Sequence, residues 1–168
     1  MQRISEFEKV SIVQYREAMK EDFAGMTDGE VEKAYEAVVL PKRSSAGSAG
    51  YDFFAPVAIR LEPGESIRIP TAVRARIDDG WVLMLFPRSG LGYRYRLRLD
   101  NTVGVIDSDY YGSDNEGHIM AKITNEGSKT LELPAGKGFM QGVFMPYGIT
   151  IDDDCEARRN GGFGSSKA

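Results

Sequence analysis

One histidine, one cysteine and one tryptophan are spread over 168 residues, and each scarcity removes a class of chemistry. With His118 alone, neither a three-histidine metal site nor a Ser-His-Asp triad can be assembled within one chain. Catalysis must then rest on carboxylate, arginine, serine and metal. Cys155 has no partner for an internal disulfide, which suits a reducing compartment, and without a histidine nearby in sequence it reads as a bystander thiol. No apolar run approaches the roughly 18 residues of a membrane span. The first residues are charged at Arg3, Glu6, Glu8 and Lys9, against a signal peptide. The net charge of −4 speaks against general binding to nucleic acid or anionic membrane, so any anion site must be local. The expectation is a cytoplasmic protein with no stable nucleic-acid or membrane binding.

What is present is a 42% apolar chain of single-domain length, enough for a sizeable core. Residues 3–10 alternate loosely as a short strand. Ser11-x-x-Gln14 and Thr27-x-x-Glu30 resemble capping boxes, opening two helices before residue 38. Ile12, Tyr15, Met19 and Phe23, then Val31, Ala34, Tyr35 and Val38, recur at helical spacing and form a packing face. From Val38 onward short runs of Val, Ile, Phe and Tyr are punctuated by Gly-rich turns. They predict strands over 51–60, 66–70, 72–77, 81–86, 93–99, 102–107, 118–124, 130–133 and 139–146, the spacing of a jelly roll or sandwich. The organisation expected is one domain over 1–168, with a helical addition at 11–37, a β core at 38–157 and a flexible C-terminal arm at 158–168.

Four segments carry candidate chemistry. Asp107 and Asp109 follow an apolar run on one side of an extended chain, where an acid can hold a water, and Tyr110 offers a flat platform. Arg88, Ser89 and Gly90 emerge together after the apolar strand 81–86, a set suited to phosphate. Asp52, after the small-residue turn Ser48-Ala49-Gly50, suits a hydrated cation. The tail Arg158-Arg159-Asn160-Gly161-Gly162-Phe163-Gly164-Ser165-Ser166 joins cationic and hydroxyl groups to one ring on a glycine-loosened backbone. Taken singly, each also reads as an ordinary turn or a frayed end. Arg94, Arg96 and Arg98 alternate with Tyr93, Tyr95, Leu97 and Leu99, giving a strand with a solvated or interface-forming basic face.

In order, Gly47-Ser48-Ala49-Gly50-Tyr51-Asp52, Pro87-Arg88-Ser89-Gly90-Leu91, Gly104-Val105-Ile106-Asp107-Ser108-Asp109-Tyr110, Gly138-Phe139-Met140-Gln141 and Gly161-Gly162-Phe163-Gly164-Ser165-Ser166 resemble the five motifs of the trimeric dUTP diphosphatase family. The resemblance covers roughly residues 38–166. It implies a mainly β, jelly-roll-like (β-clip) subunit with an N-terminal helical insertion. It also implies a homotrimer in which the C-terminal arm of one subunit closes over a site formed by two others. The implied reaction is hydrolysis of dUTP to dUMP and pyrophosphate with Mg²⁺, keeping uracil out of DNA and supplying dUMP. By similarity Asp107 activates the water that attacks the α-phosphorus, and Asp52 anchors metal-bound waters. Arg88, Ser89, the Gly90 amide and Gln141 hold phosphates, joined by Gly164, Ser165, Ser166 and one arginine of the arm. Arg158 and Arg159 compete for that last role, with Arg159 favoured. Phe163 stacks on uracil, Asn101 and the backbone around Gly104 read its edge, and Tyr110 lies under the deoxyribose.

The same resemblance brings a rival, dCTP deaminase, alone or bifunctional. It shares the fold and a Gly-His-Ile strand like Gly117-His118-Ile119, but places a glutamate proton shuttle where Lys122 stands. A further alternative is a non-catalytic nucleotide-sensing regulator. The segments 11–37 and 111–117 depart from the family pattern and read as surface elaborations, either of which would be the place for a protein partner.

Overall fold

The computed structural model describes residues 2–157, and three antiparallel sheets form its body. The first has the order β1 (Ser5–Lys9), β5 (Ser66–Ile77), β9 (Ile119–Asn125), β7 (Leu97–Leu99). The second runs β2 (Lys42–Arg43), β3 (Tyr51–Phe54), β11 (Gly138–Pro146), β6 (Trp81–Pro87), β8 (Gly104–Ile106). The third pairs β10 (Leu131–Leu133) with β4 (Ile59–Leu61). Strand period explains the packing: alternate residues of β9, β7 and β10 are buried, and they meet Leu83, Leu85, Phe53, Phe139 and Met140 of the larger sheet in one core. The fold is mainly β, as the alternation predicts. Among the described residues no helix is long and apolar enough to cross a membrane.

The two expected helices form as α1 (Ile12–Asp22) and α2 (Asp28–Glu36). Thr27 and Glu30 make the full reciprocal capping box. At α1 only half of it forms. The Ser11 hydroxyl accepts from the Gln14 amide, but the Ser11 amide and hydroxyl both donate to Glu116, at 2.7 and 2.6 Å, across 105 residues of sequence. These bonds hold the Glu116 carboxyl below its usual range. Tyr15, Met19, Val31 and Ala34 are buried with Val10 and Ala72 in a second cluster that docks the helices on β5. Each large side chain so buried contributes about 1.5–3 kcal/mol. The helical addition and the 111–117 segment are therefore fastened to the body and to each other.

Their junction is a bulge in β5. Register against β9 slips between Pro70 and Val73, and Ala72 takes a left-handed φ of 59°. The sequence break expected between 70 and 72 is this bulge inside one continuous strand. The Ala72 amide, turned out of the ladder, donates to Nε2 of His118 at 2.9 Å, and the Ala72 carbonyl accepts from Val10 at 3.0 Å. The Thr71 hydroxyl donates to the Ile119 carbonyl, and the Val73 amide donates to that hydroxyl. His118 is fully buried, and acceptance at Nε2 requires the neutral imidazole. Desolvation lowers its pKa to about 4, outweighing the pull of Glu116 in the other direction.

Four expectations change. The strand over 93–99 is instead helix α3 (Ser89–Tyr95) followed by β7, with Arg96 as a left-handed C-cap at φ 49°. Arg94, Arg96 and Arg98 consequently do not share a strand face. The strand over 51–60 breaks at Ala55, whose amide and carbonyl pair with Lys137 and Gly136. The strand over 102–107 shortens to β8, because Thr102 turns left-handed at φ 66°. Residues 108–112 wind as a 3-10 turn, so Asp107 and Asp109 do not share one side of an extended chain as expected.

The depressed histidine pKa generates a prediction of sign and window. Folding favours neutral His118, so its contribution is complete above the unfolded pKa near 6.5 and is lost as pH falls toward 4. Unfolding free energy from urea melts should drop by roughly 3 kcal/mol between pH 7 and pH 4 from this group. In His118→Gln that part of the pH dependence should vanish.

Candidate functional site

Three chain-distant segments meet at one end of the five-stranded sheet. Gln141 of β11 stands opposite Asp52 of β3, and Arg88 follows directly from the end of β6, its amide donating to the Phe139 carbonyl at 3.0 Å. Arg88 Nε lies 3.3 Å from Asp52 Oδ1. Two glycines make the close approach feasible: a Cβ on Gly50 would sit 2.6 Å from Gln141 Oε1, and one on Gly138 would sit 2.7 Å from Arg88 Nη1. Ser89 and Gly90 are exposed in the first turn of α3, beside that guanidinium. The cluster offers a cation, a hydroxyl and an amide to an anion, with one carboxylate held against the arginine.

A second feature is a cavity of about 130 Å³ lined by Leu85, Leu99, Asp100, Asn101, Gly104, Met120, Ala121 and Lys122. Gly104 lies against Leu85, where a Cβ would come within 3.0 Å, so the β8 backbone itself forms part of the wall. The hairpin carrying Asn101 turns through Thr102 and is held to β9 by the Asp100 amide on the Lys122 carbonyl at 2.9 Å. Lys122 Nζ lies 3.3 Å from Asp100 Oδ2, and the Thr124 hydroxyl donates to Asp100 Oδ1. Sequence reasoning singled out Asn101 and Gly104 but missed Asp100 as a pocket residue. Its position beside Asn101 was the available signal.

Asp107 is exposed at the start of the 3-10 turn, with its carbonyl accepting from the Tyr110 amide. Tyr110 is 4% exposed; its hydroxyl donates to the His118 carbonyl at 2.8 Å and accepts from Asn115 Nδ2 at 2.8 Å. The 111–117 segment thus braces the ring instead of merely decorating the surface.

The structure does not bring all expected site residues together. On β6, Leu85 faces Gly104 and Leu83 faces Ile106, so the register carries Asp107 level with Val82, while Arg88 lies past the opposite end of the strand. Six strand steps of about 3.3 Å separate those levels, roughly 20 Å. Asp107 and the Asp52–Arg88–Gln141 cluster therefore sit at opposite ends of β6. Arg158, Arg159, Phe163, Gly164, Ser165 and Ser166 lie outside the described residues.

Metal fit follows from the donor set. Among the described residues no group of three or more His, Cys, Asp or Glu could hold an ion. One half-buried carboxylate, Asp52, suits a hydrated Mg²⁺ that arrives on a substrate's phosphates, not one held by a protein cage.

The Gly138 contact gives a direct test. In Gly138→Ala the Arg88 guanidinium should be pushed off Asp52, a shift the flexible side chain absorbs at under about 1 kcal/mol of stability. Thermal melting should be little changed, while affinity for inorganic pyrophosphate falls several-fold by calorimetry.

Comparison with known proteins identifies the family. A sequence model of the dUTPase family matches residues 36–167. The deoxyuridine 5'-triphosphate nucleotidohydrolase of Lactococcus lactis is 41% identical over 132 residues, covering 77% of this chain and 88% of that protein. That of Tolumonas auensis is 41% identical over 135 residues, covering 76% and 86%. The crystal structure of dUTPase from Streptococcus mutans superposes with a TM-score of 0.63 at 36% identity, covering 86% of this chain and 97% of that one. The dUTPase from phage phi11 of S. aureus, at 20% identity and a TM-score of 0.64, shows the shared fold over 92% of this chain and 97% of its own. With the motifs in order, a phosphate-suited cluster and a hairpin pocket on this β scaffold, the chain belongs to the dUTPase family of nucleotide hydrolases.

Proposed function

We propose that the chain hydrolyses dUTP to dUMP and pyrophosphate at sites completed between subunits of a homotrimer. The observation that carries this reading is the meeting of Asp52, Arg88 and Gln141 at one sheet end, with the Asn101–Gly104 pocket as a separate base-sized recess. The guanidinium and the Ser89 hydroxyl suit phosphate oxygens, and Gln141 adds an amide. Gly104 packed on Leu85 puts backbone in the pocket wall, which a base methyl would crowd, while Asn101 would supply polar contacts to the uracil edge.

In this mechanism Asp107 orients a water and takes its proton as the oxygen attacks the α-phosphorus in line, and pyrophosphate leaves toward the Arg88 cluster. Mg²⁺ carried on the triphosphate would neutralise charge on its oxygens, with Asp52 holding the metal's waters. Tyr110, 4% exposed and pinned at its hydroxyl, would serve the deoxyribose as a fixed support packed behind Asp107 instead of an open platform. A 2′-hydroxyl would collide there, making UTP a poor substrate. The arm residues 158–166 would then close over the phosphates and stack Phe163 on the base.

The length of β6 supports assembly, because a base roughly 20 Å from its own subunit's phosphate cluster cannot serve it. A neighbouring copy must supply the complementary half. Deamination of dCTP fits less well: Lys122, at the position where that chemistry resembles a carboxylate shuttle, is a cation paired with Asp100. A cytoplasmic role in nucleotide metabolism follows from this reading.

The test is pyrophosphate and ammonia release with Mg²⁺ and, separately, dUTP, dCTP, dTTP and UTP. Pyrophosphate from dUTP alone is expected; ammonia from dCTP would favour the deaminase. Asp107→Asn should bind nucleotide but lose turnover by orders of magnitude. Denaturing and refolding Asp107→Asn together with Arg88→Ala should restore activity that neither variant has alone, since mixed trimers contain sites with both native halves. Failure of complementation would place both residues in one subunit's site.

A further inference from the structure

The wall of the hairpin pocket carries a charged pair that the mechanism above does not use. Asp100 and Lys122 both line the cavity, one just before Asn101 and the other opposite it on β9. The two carboxylate oxygens of Asp100 are separately engaged: Oδ1 by the Thr124 hydroxyl and Oδ2 by Lys122 Nζ at 3.3 Å. Ser66 and Thr124 share a hydrogen bond at 2.7 Å; since Thr124 has given its proton to Asp100, Ser66 must be the donor. A directed chain from Ser66 through Thr124 thus engages one oxygen and the lysine engages the other.

The chemistry of pyrimidines gives this pair a meaning. Uracil and cytosine share the 2-carbonyl and differ at N3, a donor in uracil and an acceptor in cytosine, and at position 4, where uracil has a carbonyl acceptor and cytosine an amino donor. Facing position 4, an unengaged carboxylate would attract the amino group and favour cytosine, whereas an ammonium there offers a donor that the uracil carbonyl accepts and the amino group does not. Resting on the reading of this cavity as the base site, we propose that Lys122 is a specificity-determining residue, which masks Asp100 and presents a fixed donor so that the pocket prefers uracil over cytosine. The lysine side chain is 59% exposed, so replacing it leaves the core intact.

Steady-state kinetics with dUTP and dCTP test this. In Lys122→Met the dUTP-over-dCTP ratio of kcat/KM should fall roughly tenfold or more, mostly through KM. Lys122→Arg should retain the ratio. The double variant Asp100→Asn with Lys122→Met should recover much of it, because the exposed carboxylate is gone, a non-additivity that a general loss of stability does not produce. Asn101→Ala marks the pocket itself. If it raises KM for dUTP while Lys122→Met leaves the ratio unchanged, the lysine proposal is overturned and the base-site reading stands. If Asn101→Ala leaves KM for dUTP unchanged, the base-site reading falls and the proposal with it.

Discussion

The bulge at Ala72 is the constraint on which the rest of this subunit depends. A twelve-residue strand with proline at position 70 cannot run an unbroken ladder against two neighbours, because Pro70 has no amide to give. The displaced Ala72 amide then needs an acceptor inside the protein, where an orphaned donor costs about 1–3 kcal/mol. The single histidine fills that need from β9's entry, in its neutral form. That one bond fixes where β9 begins. It also sets where the His118 carbonyl points, which fixes the Tyr110 hydroxyl, and where Glu116 hangs, which caps α1. The helical addition, the 3-10 turn and the sheet are thus parts of a single polar junction, with the apolar cluster of Tyr15, Met19 and Val31 closing over it.

Strand β6 imposes a second constraint, of length. It pairs with β8 on one side and β11 on the other, so it decides simultaneously how far Gly104 and Gln141 lie along the sheet. Met140 opposite Pro87 and Gln141 opposite Phe86 bring the amide to the Arg88 end; Ile106 opposite Leu83 carries Asp107 away from it. A rigid antiparallel ladder has no conformational freedom to close that gap. On the reading proposed above, that register divides each site between subunits, and oligomerisation is part of the chemistry instead of an addition to stability.

Sequence reasoning recovers what is local and fails where long-range bonds decide. The start of α2 is legible because Thr27 and Glu30 satisfy each other. The start of α1 looked the same, yet its reciprocal partner is Glu116, which no spacing rule connects to Ser11. Alternation from Tyr93 to Leu99 imitates a strand, but the chain leaving Pro87 coils through Arg88 and is stopped only at Arg96, with β7 limited to the last three residues. The candidate site residues stand out in sequence as short motifs, since phosphate-suited and acidic groups cluster with glycine there. Their distribution over opposite ends of β6 does not, because strand register is a property of pairing and leaves no mark on either strand alone. The structural task of His118 depends on a positive-φ alanine that sequence does not announce.

Selection of one pyrimidine over another is the stricter demand on such a pocket, because binding energy that both bases share gives no preference. Shape alone separates uracil from thymine through a missing methyl, which Gly104 against Leu85 can enforce sterically. Uracil and cytosine are nearly the same size, so shape cannot separate them, and the difference must be read by donors and acceptors. A carboxylate facing position 4 then works against uracil unless its oxygens are occupied. Asp100 holds the Asn101 hairpin to β9 from just such a position, and Thr124 and Lys122 occupy its oxygens one each. On the proposed reading, the acid that shapes the hairpin is kept from favouring cytosine at position 4, and the cation that neutralises it adds a donor for the uracil carbonyl.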